Sequence, residues 1–173
     1  MHRLHLLRHA KSAWTDGVED HDRPLTRRGR EAARLVARHL PAALGRLDLV
    51  LCSSAQRTRE TLEMVLGESR DRPRIAIEDD LYLADCDDLV DRLRRLSETD
   101  DNVLVIGHNP GLHESALALA ETDSAAFARL ADGKFPTAAL ASFSIAGTWA
   151  LLATRRHELI GYVTPASLAA DDG

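Results

Sequence analysis

Four short apolar runs, Leu4 to Leu7, Leu49 to Cys52, Arg74 to Ile77 and Val103 to Ile106, alternate with helix-patterned stretches along the first two-thirds of the chain. A strand with one wet face alternates apolar and polar residues, whereas a nearly continuous apolar run needs cover on both faces. The intervening stretches supply that cover. Arg28 to Leu44 carries Ala32, Leu35, Val36 and Leu40 at helical spacing, with Thr26 placed to cap its start. Thr58 to Leu66 and Asp87 to Leu96 repeat the pattern, and Asn109 followed by Pro110 opens another helix that runs to Ala120. This alternation predicts an α/β fold, a three-layer sandwich with a mostly parallel central sheet and helices on both faces.

Phe135 to Thr154 is uncharged over a length that could span a bilayer, but Ala146-Gly147-Thr148 divides it into two strand-length pieces. A hairpin at the sheet edge is therefore expected there. A chain of 173 residues, 45% hydrophobic, can bury a good core but has no room for two domains of ordinary size, so residues 1–164 are read as a single domain and 165–173 as a loose tail. The formal charge of -5 argues against nucleic-acid or anionic-membrane binding through the overall field. Cys52 and Cys86 have no Cys-x-x-Cys spacing and read as reduced thiols, and Arg8 and His9 interrupt the N-terminal apolar run before a signal-peptide core can form. Both features point to the cytoplasm.

In an open parallel sheet, ligands bind beyond the carboxyl ends of the strands. Three predicted strands end in unusual residues: Leu7-Arg8-His9, Cys52-Ser53-Ser54-Ala55-Gln56-Arg57 and Ile106-Gly107-His108-Asn109. Two histidines and two arginines would meet there near helix N-termini, and such a pocket suits a phosphate. His2, His5, His21, His39, His113 and His157 are read as surface or core residues, because none of them directly follows an apolar run.

Leu7-Arg8-His9-Ala10 with Lys11-Ser12 resembles the Arg-His-Gly signature of the histidine phosphatase superfamily, in the Arg-His-Ala form of its SixA phosphohistidine phosphatases. The resemblance continues through Asp22-Arg23-Pro24-Leu25-Thr26 with Gly29, Ser53 to Thr58, Gly107 to Gly111 and Phe135-Pro136-Thr137. It implies a phosphoglycerate mutase-like fold, with His9 as nucleophile and Arg8 and Arg57 binding the phosphoryl oxygens. His108 would complete the pocket as a further donor, and Ser12 joins the substrate-binding set. No metal or cofactor is implied. The superfamily's catalytic Glu has no clear counterpart after the third strand, where Asp85 ranks first among the candidate acids.

A missing acid favours a substrate whose leaving group needs no proton, such as phosphohistidine on a phosphotransfer or carrier protein of a bacterial relay. The chain is expected to act as a monomer. The alternatives are a small-molecule phosphomonoesterase of the same superfamily and a non-catalytic phosphoprotein-binding module. A cysteine phosphatase would need five residues between its cysteine and arginine, whereas Cys52 and Arg57 are separated by four. A metal hydrolase would need a His-Glu-x-x-His or comparable cluster, which the sequence lacks.

Overall fold

The fold is seen in a computed structural model that describes residues 1–67 and 72–171. In chain order its elements are β1 (His2–Arg8), α1 (Arg27–Leu44), β2 (Leu49–Ser53), α2 (Gln56–Leu66), β3 (Arg74–Glu78), α3 (Cys86–Arg94) and β4 (Asn102–Gly107). Then follow α4 (Gly111–Leu119), α5 (Ala125–Asp132), β5 (Leu140–Ile145), β6 (Glu158–Val163) and α6 (Pro165–Asp171). The strands form one sheet in the order β3-β2-β4-β1-β5-β6. β3, β2, β4 and β1 run parallel, while β5 pairs antiparallel with β1 and β6 antiparallel with β5.

The apolar runs are explained by two buried apolar layers, one on each face of the sheet. Leu4, Leu6, Leu51, Val103 and Val105 face one layer with α3, α4, Phe135 and Trp149. Leu7, Val50, Cys52, Leu104 and Ile106 face the other with α1, α2 and Leu168 of α6. Successive strand residues point to opposite faces, so a strand covered on both sides must be apolar at nearly every position. Thr26 caps α1 as its sequence suggested, its Oγ1 accepting from the Gly29 N–H at 2.9 Å. A Cβ on Gly29 would lie 2.1 Å from the Lys11 carbonyl oxygen, and only glycine lets α1 start this close to the chain leaving β1.

Three sequence expectations need correction. The predicted hairpin does not turn back at once: Trp149–Leu151 is a short 3-10 turn, and the returning strand is β6. Trp149 is fully buried, and its indole N–H donates to the Asp100 carbonyl at 3.0 Å. This large side chain draws the segment into the core before the chain can return. Residues 165–171 form a helix, not a loose tail. Thr164 Oγ1 accepts from the Ser167 N–H at 3.1 Å, Ser167 Oγ accepts from the Thr164 N–H at 2.9 Å, and Pro165 occupies the first turn. Buried Leu168 then fastens this helix into the core on the α1 face. Residues 172 and 173 of the expected tail lie outside the described residues. Finally, α5 was not foreseen, and α4 begins at Gly111, since Asn109 does not cap it: its Nδ2 donates to the Phe135 carbonyl at 2.9 Å.

Candidate active site

Because β4 lies between β2 and β1, the three strands that end in the conspicuous residues are neighbours. Their ends converge. Arg8 pairs with Gly107 in the β1–β4 register, and the next residue on each strand's path is His9 or His108. The two imidazoles sit with ring centroids 5.2 Å apart. Arg57, in the first turn of α2, comes within 3.4 Å of His108 Nδ1 through Nη2. Arg8, Arg57, His9 and His108 thus occupy one pocket at the carboxyl edge of the sheet.

The tautomer of His9 follows from its partner. Nδ1 lies 2.7 Å from the Ala10 carbonyl oxygen, which can only accept, so Nδ1 carries the proton and Nε2 keeps its lone pair. Burial pushes the His9 pKa down to about 4, with the Ala10 hydrogen bond opposing and the charges of Arg57, Arg8 and Arg23 adding to the depression. Near neutral pH the ring is therefore an uncharged base. The backbone that presents it is held by the His9 N–H on Gly107 O at 3.1 Å and the Ala10 N–H on Thr61 Oγ1 at 3.0 Å.

His108 is also neutral, its pKa lowered to about 3 by burial first and then by His9 and Arg57. Its Nδ1 faces a guanidinium that can only donate, so Nδ1 accepts and Nε2–H donates to Ser53 Oγ at 2.7 Å. In this state its donor is engaged by Ser53. Arg8 donates through Nη1 to the Phe135 carbonyl at 2.9 Å, while its Nε is buried with no hydrogen-bond partner among the described residues. A buried N–H without an acceptor is costly, and a phosphoryl oxygen would supply one.

Ser12 connects to the pocket through Arg23, its Oγ accepting from Arg23 Nη2 at 2.8 Å, and the Arg23 charge reaches His9. Arg23 belongs to a block that the sequence comparison singled out without giving it a task. It is buried, donates to Ala13 O and Asp20 Oδ1 as well as to Ser12, and lies 3.5 Å over the Trp14 ring. Asp20 and Tyr82 were missed altogether. Their side chains meet at 2.5 Å, although they come from loops after different strands, and no local pattern reports such a contact. Asp85, the foremost candidate acid, caps α3 by accepting from the Asp88 N–H at 2.9 Å.

Cys52 is fully buried in the apolar layer under α1 and α2, and burial raises its thiol pKa to about 12. Such a thiol is a poor nucleophile at neutral pH. Among the described residues, no three His, Cys, Asp or Glu side chains gather as a metal site. A groove of about 870 Å³ opens at the opposite end of the sheet between the C-terminal turns of α1 and α2, lined by Leu40, Leu44, Met64 and Leu66. It borders none of these groups. No helix among the described residues is long and apolar enough to cross a membrane.

Fold and pocket together define an α/β protein with paired neutral histidines and arginines at the carboxyl ends of adjacent parallel strands. Residues 4–92 match the model of the histidine phosphatase superfamily (branch 1), and the chain belongs to that superfamily. An uncharacterized protein of Mycobacterium tuberculosis is 38% identical over 162 residues, covering 92% of this chain and 99% of its own. A Nakamurella multipartitia structure provisionally named phosphohistidine phosphatase SixA superposes with TM-score 0.83 at 32% identity, over 95% of this chain and 96% of its own. One from Agrobacterium tumefaciens, also provisionally named SixA, gives TM-score 0.80 at 28% identity, over 95% and 98%. Membership and these neighbours support phosphatase activity.

Proposed function

We propose that this phosphatase works through a phosphohistidine formed on His9, without a metal or cofactor, and that its substrate is phosphohistidine on a protein. The observation that carries the reading is the 2.7 Å hydrogen bond from His9 Nδ1–H to the Ala10 carbonyl, which leaves Nε2 as the free lone pair among the arginines. Nε2 attacks phosphorus in line while Arg8 and Arg57 bind the equatorial oxygens, positioning and electrostatics supplying most of the rate. The arriving phosphoryl dianion raises the pKa of His108, which takes up a proton on Nδ1 and becomes a donor to it. Ser12 has its own O–H left to donate.

In the first step the N–P bond to His9 forms and the substrate's P–N bond breaks. Its electron pair returns to an imidazole already protonated on the far nitrogen, which leaves as a neutral molecule. Water then attacks phospho-His9, freeing inorganic phosphate and restoring the lone pair. The nearby carboxylate suits such a leaving group: hydrogen bonds from Tyr82 and Arg23, with the charge of Arg57, hold Asp20 ionised far below the ordinary carboxylate range, and it is a poor proton donor. A sugar alkoxide, which needs a proton, would gain about 10²- to 10⁴-fold from an acid that this arrangement does not offer. The provisional name of the Nakamurella relative, at 32% identity, favours the same substrate class. We place the protein in the cytoplasm as a monomer acting on a phosphotransfer or carrier protein.

A denaturing quench during turnover should trap an acid-labile, alkali-stable phosphate on His9, and a phosphohistidine protein should exceed every sugar phosphate in kcat/KM. A sugar phosphate better by about tenfold would overturn the substrate assignment. Binding of phosphoprotein without turnover or adduct would support a non-catalytic module instead.

A further inference from the structure

The acidic turn Asp20–Asp22, between β1 and α1, reaches across the pocket to the loop after β3. Every oxygen of Asp20 is engaged there. Its backbone carbonyl accepts from Arg57 Nη1 at 2.6 Å, Oδ2 from Arg57 Nη2 at 3.1 Å and from the Tyr82 O–H at 2.5 Å, and Oδ1 from Arg23 Nη1 at 2.8 Å. The turn is itself anchored, since His21 Nε2 meets Ser54 Oγ at 2.9 Å and the His21 ring packs edge-on against Tyr82 at 4.9 Å.

A guanidinium has two edges that can grip an oxyanion, one formed by its terminal nitrogens and one by Nε with a terminal nitrogen. Asp20 takes the terminal edge of Arg57. On the other edge the Nε–H remains, beside the second Nη2 proton, which His108 Nδ1 accepts at 3.4 Å and gives up when that nitrogen takes its own proton on anion binding. Arg57 is only 3% exposed and lies near the like charge of Arg8, so without a carboxylate it would turn toward another acceptor.

We propose that Asp20 is the positioning residue of the phosphoryl pocket, holding Arg57 and Arg23 so that their remaining N–H groups converge on one oxyanion. The proposal rests on the pocket assigned above. Asp20 acts through the arginines and not on the phosphoryl group, and the short Tyr82 O–H bond fixes its rotamer.

Tungstate binding tests this apart from turnover. Asp20→Asn keeps the shape and removes the charge, and should weaken tungstate binding by about 10- to 100-fold, the range for a lost charge-assisted hydrogen bond. In turnover the loss should fall mainly on kcat, because the arginines act most strongly on the transition state. Asp20→Glu should recover part of the loss, and Tyr82→Phe should show a smaller effect of the same sign. In an Arg57→Lys background, Asp20→Asn should cost clearly less than it does in the wild type, since the part of its effect that runs through Arg57 is already lost and only the part through Arg23 is left. All values are normalised to the folded fraction, which removes a merely structural effect.

Wild-type tungstate affinity and kcat in Asp20→Asn would overturn the proposal, as would losses that multiply with Arg57→Lys. If Asp20→Asn does not fold, wild-type values in both Asp20→Glu and Tyr82→Phe would overturn it equally. A wild-type protein that binds tungstate yet never forms phospho-His9 would sink the catalytic reading alone, because the affinities still decide the role of Asp20.

Discussion

The rings of His9 and His108 are tilted by 55° at a centroid separation of 5.2 Å, and burial first, then the charges of Arg57 and Arg8, discourage protonation of both. Two bases are thus kept neutral side by side in a pocket built for an anion. The pair has consequences for stability as well as for chemistry.

His9 and buried His5 have folded-state pKa values of about 4, and His108 about 3, against 6.5 when unfolded. The unfolded chain therefore binds more protons between pH 6.5 and the folded values, so stability rises with pH in that window and is lost as pH falls through it. Each histidine should cost about 2 kcal/mol between pH 6.5 and 5. Urea unfolding at a series of pH values measures this, with His9→Ala expected to give a shallower slope. A flat profile would show that these rings are not held neutral.

Tungstate binding near pH 6 should take up a proton, as the dianion lifts the depressed pKa of His108. Calorimetry in two buffers of different ionisation enthalpy reads the proton count. Identical heats in both would place His108 away from the oxyanion.

Replacing Arg8 or Arg57 by Ala should each raise the transition-state free energy by about 2 to 4 kcal/mol, and His9→Ala should abolish turnover. Rates within a few-fold of wild type for either arginine variant would remove that residue from the pocket.

Cys52→Ser should keep nearly full activity, and chelators should leave the enzyme unaffected. A thiol held at a pKa of about 12 is not the nucleophile. Loss of activity in EDTA that a divalent ion restores would point to metal chemistry.

Leu168→Ala should destabilise the fold by about 2 kcal/mol, and Thr164→Ala by about 1, if α6 is part of the folded unit. Thermal or urea melts provide the values. No change in either would return this segment to the loose tail that its sequence suggested.

Much of the architecture was legible because burial on both faces leaves a local trace. Leu4 to Leu7 and Val103 to Ile106 read as interior strands, and α1 revealed itself through its apolar stripe and its Thr26 cap. The capping pair Thr164 and Ser167 was also written locally, yet the polar, alanine-rich stretch around it masked the single buried contact of Leu168. β6 was misplaced because the demand of Trp149 for a buried site is not a periodic signal.

Sequence by itself determined which side chains stand at strand ends: His9, His108 and the turn leading to Arg57 each follow an apolar run, and periodicity suffices to see that. Tertiary structure alone decided that β4 lies between β1 and β2, bringing those ends together, and that Asp20 and Tyr82 meet across the pocket. The reason is physical. Helix and strand patterns record burial against near neighbours in the chain, whereas strand order and the meeting of two distant loops are set by contacts whose partners lie tens of residues apart.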